Sequence, residues 1–320
     1  MPALTDVPGV MVGHAHDSAA LTGCTVILTS AGATAGFDVR GGAPGTRETD
    51  LLAPEAMVQQ IHAIALCGGS AFGLAAATGV VEWLRERNIG FDTGLRRVPI
   101  VPAAVIFDLA IGSADRWADA PLGYAAAAAA GTATREGCVG VGAGSTAGKL
   151  LGPASAMKTG VGTWSETLVD GTVIGALAVC NALGDLHSAD DGRLLAGARA
   201  ADGSFPGALA LLRSAAVQQQ LGDQAGRNTT LAVVATDALL DKAGATILAR
   251  MAQTALPRTI RPVHTPYDGD IVFALATGRR PAPPLAVLGA IAASVLARAI
   301  ERSATAATSA GGLLAYTDLR

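Results

Sequence analysis

The stretch Gly226-Arg227-Asn228-Thr229-Thr230 runs directly into the apolar segment Leu231-Ala232-Val233-Val234-Ala235-Thr236-Asp237. The apolar segment predicts a buried β-strand, because it is short, rich in β-branched residues and bounded by polar ones. Cleavage of the Asn228–Thr229 bond would give Thr229 a free α-amino group beside its own hydroxyl. One residue would then hold both a nucleophile and a general base, so the junction is a candidate self-cleavage site.

The same junction also fits simpler interpretations. Asn228 tolerates a left-handed turn, and Thr229 suits the start of a strand, so a polar turn before a strand needs no chemistry. Asn228-Thr229-Thr230 further spells a glycosylation sequon, which matters only in a secreted protein. The spacing alone leaves a turn and a cleavage site both open.

The composition of the 320-residue chain is that of a globular protein, with 50% hydrophobic residues available for the core of one or two domains. A net charge of −3 and few aromatic residues argue against nucleic-acid binding. The apolar run from Leu285 to Ala297 falls short of the roughly 18 residues that a membrane span needs, and predicts a buried helix. The first basic residue is Arg40, so we expect no charged leader and a cytoplasmic protein.

The polar residues give little indication of a metal site. The four cysteines lie far apart without a CxxC pair, and predict buried thiols in place of disulfides or a zinc site: Cys24, Cys67, Cys138 and Cys180. The stretch from His264 to Asp270 contains one His and two Asp, too few for a metal centre, and Gly269 predicts a turn before a strand. We therefore expect no metal.

Alternating strand and helix patterns predict an α/β fold. Strands are expected at Thr25 to Leu28, Ile64 to Cys67, Pro102 to Leu109, Val173 to Val179, Leu231 to Asp237 and Asp270 to Leu275. Helices are expected at Leu51 to Ile61, Phe72 to Arg87, Tyr124 to Ala130, Asp191 to Ala198, Pro206 to Gln219 and Leu239 to Leu256. The polar residues from Leu221 to Arg227 predict an exposed connector before the junction.

Two glycine-rich loops lack residues that familiar motifs require. The loop from Gly140 to Leu150 has Ala143 and Leu150 where a phosphate-binding Walker loop needs Gly and a hydroxyl residue. The loop Gly68-Gly69-Ser70-Ala71-Phe72 lacks the second Gly of a serine-hydrolase nucleophile elbow. The first loop is therefore not expected to bind a nucleotide, and Ser70 in the second is expected to be a packing or substrate-loop residue.

Five motifs in order along the chain resemble one known family. They are Phe37-Asp38-Val39-Arg40-Gly41-Gly42, Leu66-Cys67-Gly68-Gly69-Ser70, Ala143-Gly144-Ser145-Thr146-Ala147-Gly148-Lys149, Asn228-Thr229-Thr230 and Asp268-Gly269-Asp270. The chain resembles the DmpA-type family of L-aminopeptidase/D-esterases and β-peptidyl aminopeptidases, which includes the nylon-oligomer hydrolases. The resemblance covers essentially the whole chain.

The resemblance implies roles for four residues at the centre of the site. Thr229 corresponds to the nucleophile that cleavage after Asn228 exposes. Lys149 corresponds to the catalytic-site lysine of the family, and Asn181 to the asparagine that helps to hold the oxyanion. The resemblance therefore favours cleavage over a plain turn at the junction.

Further residues match the family less uniformly. Asp268 and Asp270 match the acidic pair of the nylon-oligomer hydrolases, whereas the aminopeptidases proper carry Ser and Glu there. The pair would orient the Thr229 amine or bind a substrate ammonium group, and the sequence leaves both roles open. Phe107 stands where many relatives have Tyr, and we expect Phe107, Gly69 and Ser70 to bind substrate.

The resemblance also implies a fold and an activity. The fold is a four-layer αββα sandwich of the DmpA and ornithine acetyltransferase type, in a single hydrolase domain over residues 1–320. Cleavage would leave an α-chain of residues 1–228 and a β-chain of residues 229–320 intertwined, with the strand from Thr229 in the middle of the core. We expect a homo-oligomer, a tetramer of such pairs.

The expected activity is hydrolysis of small peptides, amides or esters through a Thr229 acyl-enzyme, without metal or organic cofactor. Two alternatives remain open from the sequence. One is an acyltransferase of the ornithine acetyltransferase type, which also uses a threonine exposed by cleavage. The other is a non-catalytic, uncleaved scaffold.

Overall fold

A computed structural model of the chain describes residues 1–221 and 227–319, so most of the expected connector before the junction lies outside the described residues. The strands are β1 (Met11–Asp17), β2 (Thr22–Val39), β3 (Thr46–Arg47), β4 (Ile61–Cys67), β5 (Phe91–Asp92), β6 (Arg97–Val98), β7 (Ala103–Val105), β8 (Thr146–Ala147), β9 (Met157–Lys158), β10 (Val161–Thr167), β11 (Val173–Asn181), β12 (Asp185–His187), β13 (Leu194–Ala196), β14 (Thr229–Ala238), β15 (Ile260–Arg261) and β16 (Ile271–Arg280). The α-helices are α1 (Ala76–Glu86), α2 (Ala120–Ala128), α3 (Ala208–Leu211), α4 (Ala215–Gln220), α5 (Lys242–Ala252), α6 (Ala255–Thr259) and α7 (Leu285–Thr305).

The 18-residue strand β2 connects the two groups of strands in the fold. Its first half pairs with β1 and β4, where Cys24 lies opposite Cys67. Its second half pairs with β16, where Phe37 lies opposite Phe273. The main strand order is β10-β11-β14-β16-β2-β4-β7-β3, with β1 also paired to β2. The strand that begins at Thr229 therefore lies inside the sheet, as the sequence predicts.

Three hydrophobic cores follow from the two-residue period of the strands, because successive side chains point to opposite faces. In β14, Val233 packs into a core shared by both groups of strands, while Val234 packs into the core beneath α5 and α7. In β2, Ile27 joins the shared core, and Val26 joins the core beneath α1 and α2. Helices thus cover the outer strand faces, and the fold is a mixed α/β sandwich.

The expected buried helix near the C-terminus is confirmed and is longer than its apolar run. Helix α7 spans Leu285–Thr305, and one side of it, including Leu288 and Leu296, is buried against β10 and β11. No helix in the described ranges is long and apolar enough to cross a bilayer.

Two of the expected helices are wrong. The segment from Leu51 to Ile61 forms turns after a short 3₁₀ helix, Asp50–Leu52, and Ile61 already begins β4. The segment from Asp191 to Ala198 contains the strand β13, which pairs with β12. Short apolar runs fit a helix or a strand about equally, and here pairing with a neighbouring strand decides.

The cysteines depart from the expectation at one position. Cys24, Cys67 and Cys180 are buried free thiols, as the sequence predicts. Cys138 is only half-buried, because it lies near the surface, where its thiol donates to the Thr308 carbonyl at 3.2 Å. The prediction of burial is therefore wrong for Cys138.

Candidate functional site

The sheet brings the separated candidate residues together at one end. Strand β14 begins at Thr229 and runs parallel to β16, while β11 runs antiparallel to β14 and ends at Asn181. Asn181 lies directly opposite Thr229 in this register. Asn228 also pairs with Asp268, just before β16. Two strand starts and one strand end therefore meet at the same edge.

Thr229 is buried, with 5% of its surface exposed. Its hydroxyl donates to the carbonyl oxygen of Asn228 at 2.5 Å. The same oxygen accepts from the backbone N–H of Gly269 at 2.9 Å. A Cβ atom at 269 would come within 3.0 Å of the Thr229 hydroxyl oxygen, so glycine suits this turn. The carbonyl group before Thr229 is thus held by two donors.

Lys149 and Asn181 form a buried polar pair beside the junction. The Lys149 Nζ donates to the Asn181 backbone oxygen at 2.8 Å and to its Oδ1 at 2.7 Å. Both side chains also reach the Arg227 carbonyl oxygen, Lys149 Nζ at 3.5 Å and Asn181 Nδ2 at 3.4 Å. Burial lowers the pKa of Lys149 to about 7, although the Asp268 and Asp108 carboxylates partly oppose that shift.

The amide of Asn181 is held on both sides. Its Oδ1 accepts from the Thr146 backbone N–H at 3.2 Å as well as from Lys149. Its Nδ2 donates to the Phe107 carbonyl oxygen at 2.9 Å. This arrangement fixes the amide orientation and directs its donor end toward Phe107 and the segment before Thr229.

Asp268 lies beside the junction but bonds away from Thr229. Its Oδ2 accepts from both the backbone N–H and the hydroxyl of Thr265, and its Oδ1 accepts from the Leu183 N–H at 3.4 Å. Burial, and next the charge of Asp270, raise the pKa of Asp268 to about 6. The Asp268 carboxyl group is therefore partly protonated near pH 6.

Asp270 fixes the start of β14. Its Oδ1 accepts from the Thr230 N–H at 2.7 Å, and its Oδ2 accepts from the His264 N–H at 3.0 Å. The His264 Nδ1 also lies 3.1 Å from Oδ2. Within the described part of the chain, neither Asp270 nor Asp268 makes a hydrogen bond to the Thr229 side chain.

The backbone of the motif from Phe37 to Gly42, with the adjoining Ala43, packs against the turn that holds Asp268 and Asp270. The Arg40 N–H donates to the Asp270 carbonyl at 3.0 Å, and the Ala43 N–H donates to the Asp268 carbonyl at 2.8 Å. A Cβ atom at Gly41 would lie 2.1 Å from the Asp268 oxygen. The motif therefore needs glycine for close backbone approach.

A cavity of about 410 Å³ opens beside the junction. Its walls include Phe107, Lys149, Thr146 and Arg227. The segment before Thr229 thus forms part of the cavity wall through Arg227, and Thr229 itself does not line the cavity. Among the expected substrate-binding residues, Phe107 lines this cavity.

Gly69 and Ser70 do not line the cavity, and only Gly69 is bonded to a residue that does, Asp108. Gly69 has a positive φ of 99°, and its N–H donates to Asp108 Oδ1 at 2.6 Å. The Ser70 N–H donates to the Ile106 carbonyl at 2.9 Å. Burial raises the pKa of Asp108 to about 6. Sequence reasoning missed Asp108, although its place directly after the apolar strand and Phe107 was a usable signal.

The side chains of the site do not form a metal centre. Within residues 1–221 and 227–319, no group of three His, Cys, Asp or Glu residues could hold a metal ion. The acidic pair at Asp268 and Asp270 is already bonded to Thr265, Thr230 and His264. The site therefore offers hydroxyl, amine and amide groups for its chemistry.

Comparison with known proteins supports the resemblance seen in the sequence. The family model described as Peptidase family S58 matches residues 2–316. An uncharacterized aminopeptidase of Mycobacterium tuberculosis (strain ATCC 25618 / H37Rv) is 42% identical over 348 residues, which cover 100% of this chain and 98% of the relative. A 6-aminohexanoate-oligomer endohydrolase of Kocuria sp. (strain KY2) is 32% identical over 273 residues, which cover 85% of this chain and 74% of the relative.

Solved structures support the fold. A β-aminopeptidase of Burkholderia sp. superposes with a TM-score of 0.69 at 23% identity, over 98% of this chain and 90% of the neighbour. The L-aminopeptidase D-Ala-esterase/amidase of Ochrobactrum anthropi, described as a variant of the Ntn hydrolase fold, gives a TM-score of 0.69 at 20% identity, over 99% and 92% of the two chains. The resemblance to this group is thereby confirmed.

Proposed function

The chain belongs to peptidase family S58, and from this premise we propose that it is a self-processing hydrolase with Thr229 as its N-terminal nucleophile. Its substrates would be small peptides, amides or esters. The family match favours hydrolysis over the acyltransferase and the uncleaved scaffold. The relatives named for aminopeptidase and amide-oligomer hydrolysis support the same substrate class.

One contact carries the proposal. The Thr229 hydroxyl lies 2.5 Å from the carbonyl oxygen of the residue that precedes it, in a buried position. The Gly269 N–H donates to that same oxygen at 2.9 Å, in the parallel bridge between Asn228 and Asp268 that continues the pairing of β14 with β16. Together the two contacts resemble a nucleophile beside a polarised carbonyl group.

In the precursor, the Thr229 hydroxyl oxygen would attack the Asn228 carbonyl carbon. The C–N bond would then break, the nitrogen would take up the proton that the hydroxyl loses, and an ester would link Asn228 to Thr229. Water would hydrolyse that ester and release the Thr229 amine. The Gly269 N–H is placed to stabilise the negative oxygen that forms during this attack.

In the mature enzyme, the Thr229 amine would accept the hydroxyl proton during attack on a substrate carbonyl. A free α-amine has an ordinary pKa of about 8, so it is partly unprotonated near neutral pH. Lys149 and Asn181 would donate to the substrate oxyanion in place of the Arg227 carbonyl, which both reach in the uncut chain. Because Phe107 has no hydroxyl group, Lys149 and Asn181 would stabilise the oxyanion without a third donor from this position.

The acidic pair would act at a short distance from the nucleophile. Asp270 would fix the strand start through the Thr230 N–H, so that the new amine keeps its position. Asp268 would supply the negative charge that favours a protonated Lys149. We include in the same proposal the role that the sequence left open for this pair, which is to bind an ammonium group of the substrate.

The finer architecture also belongs to this proposal. The three hydrophobic cores support a four-layer αββα arrangement, with helices outside both groups of strands. Cleavage at Thr229 would open the chain inside the sheet, so residues 1–228 and 229–320 would stay joined as one hydrolase domain. A cytoplasmic tetramer of such pairs is the expected assembly.

The intact mass of the denatured protein tests self-processing. Wild type should give two masses that meet at Asn228 and Thr229, and Thr229→Ala should give one full-length mass. Thr229→Ser should still cleave, because it keeps a hydroxyl. Hydrolysis of amino-acid p-nitroanilides and short peptides should follow cleavage and be lost in Thr229→Ala.

The neighbouring threonine provides a matched control. Thr230 is buried beside Thr229, and only its backbone N–H is bonded to Asp270. Thr230→Ala should therefore still cleave and hydrolyse. One uncut mass for wild type, after long incubation at neutral pH, would refute the Thr229 mechanism.

A further inference from the structure

A second pocket adjoins the cavity at the junction. This pocket has a volume of about 230 Å³ and shares Ala154 and Leu313 with the first cavity. We call the two together the trench. Lys149 and Arg227 line its inner part, and Arg199 lines its outer part. Lys149 and Arg199 thus line adjoining pockets that share Ala154 and Leu313.

Arg199 is fixed at its backbone and free at its guanidinium. Its N–H donates to the Ser155 carbonyl at 2.8 Å. Its side chain makes no ion pair or hydrogen bond with any residue that the structure describes. The nearby Asp202 carboxylate instead accepts from the backbone N–H and the hydroxyl of Ser204, at 2.9 and 2.6 Å. By contrast, Arg298 and Arg302 both pair with acidic residues.

The charges along the trench favour an anionic ligand group. Three cationic residues line it: Lys149, Arg227 and Arg199. Asp108 is the acidic residue among the described lining residues, and it is buried with one oxygen bonded to the Gly69 N–H. A guanidinium without a carboxylate partner matches the planar, bidentate geometry of a carboxylate group.

We propose, resting on the proposed function, that Arg199 binds the free C-terminal carboxylate of a short peptide whose scissile amide lies at Thr229. The N-terminal residue of the peptide acylates Thr229, and the leaving group runs along the trench past Ala154 and Leu313. Arg199 is then a specificity residue, which selects peptides with free carboxylates over their amides.

A matched substrate pair tests this assignment: an alanine tripeptide with a free C-terminal carboxylate and the same tripeptide as its C-terminal amide. Wild type should hydrolyse the acid with a kcat/KM about 10-fold higher than that for the amide, because one charged hydrogen bond of moderate strength contributes about that factor. Arg199→Met should remove that preference by raising KM for the acid alone, and Arg199→Lys should retain part of it. The preference should shrink at high ionic strength, because Arg199 is exposed.

Arg258 gives the control, because it is another exposed arginine that lines neither part of the trench. Arg258→Met should keep the wild-type preference. Equal kcat/KM for acid and amide in wild type, or an unchanged preference in Arg199→Met, overturns the role of Arg199 while Thr229 cleavage stands. If neither peptide is hydrolysed and the chain stays uncut, the proposed function fails. Calorimetric binding of the two peptides then tests Arg199 alone. Tighter binding of the acid than of the amide supports the role of Arg199, and equal binding overturns it.

Discussion

Two of the three buried lysines, Lys149 and Lys158, have different surroundings. The Lys158 ammonium donates to three backbone carbonyls, those of Gly142, Ser145 and Thr159, at 2.8, 3.0 and 2.6 Å. Lys149 instead holds Asn181 by two short bonds and reaches the Arg227 carbonyl only at 3.5 Å. Burial lowers the pKa of both, to about 8 for Lys158 and about 7 for Lys149.

The difference in partners separates a lysine saturated by carbonyl oxygens from the lysine to which we assign a role in catalysis. An ammonium has three donors, and three carbonyls saturate those of Lys158, so no donor is left for a ligand. The weakest contact of Lys149 goes to the Arg227 carbonyl, next to the proposed new chain end at Asn228. That donor can pass to a substrate oxygen, and Lys149 also lines the cavity, whereas Lys158 is fully buried.

The largest expected effect is on catalysis. Lys149→Met should lower kcat/KM for a p-nitroanilide about 100-fold or more, because one oxyanion donor is lost. The rate is measured per cleaved chain, so that slow processing does not count as slow hydrolysis. Lys242→Met is the control, because Lys242 also donates to three backbone carbonyls, those of Leu51, Ala56 and Val58. Equal losses in both variants would contradict the distinction.

Next comes an effect on stability. Lys158→Met should lower the free energy of unfolding by about 3 kcal/mol, because three buried carbonyls lose a charged donor. Denaturant titration measures this loss, and the activity per folded molecule should stay within a few-fold of wild type. A variant of normal stability without activity would place Lys158 in the functional group instead.

The smallest effect separates the two lysines by pH. Each has a folded pKa below its ordinary value of 10.5, so above its folded pKa the unfolded chain binds a proton that the folded chain has released. The free energy of unfolding therefore rises with pH. The contribution of Lys149 begins at about pH 7 and that of Lys158 at about pH 8. Between pH 7 and 8, the free energy of unfolding should rise by about 1 kcal/mol less in Lys149→Met than in wild type. The corresponding difference for Lys158→Met should be smaller, because its folded pKa is higher. Equal slopes in wild type and Lys149→Met would contradict the lowered pKa.

The sequence identified the strands that form the centre of the fold. The apolar runs from Leu231 and from Asp270 are β14 and β16, because long runs of buried β-branched residues leave little alternative to a central strand. The patterns failed at Asp191 to Ala198, where pairing with β12 overrides the helical spacing. They also overestimated the strand at Pro102 to Leu109, which is only Ala103–Val105.

The residues assigned to the site from the resemblance lie together in the structure, but their contacts were not predictable. Lys149, Asn181, Thr229, Asp268 and Asp270 were all assigned from the resemblance, and the sheet brings them to one edge. Their hydrogen bonds could not be assigned, because a carboxylate can turn toward any neighbour that its rotamer allows. Asp270 thus bonds the Thr230 N–H, and Gly69 reaches the cavity only through Asp108.

By itself, the sequence determined the central strands, the polar junction at Asn228 and Thr229, and the glycines that permit close backbone approach. These features are local, because they depend on residue type and on the two-residue period of a strand. Only the tertiary structure decided which donors face the Asn228 carbonyl, which lysine lines the cavity, and that a pocket lined by Arg199 adjoins that cavity. Those features depend on residues far apart in the chain, whose distances are set by how β11, β14 and β16 pair.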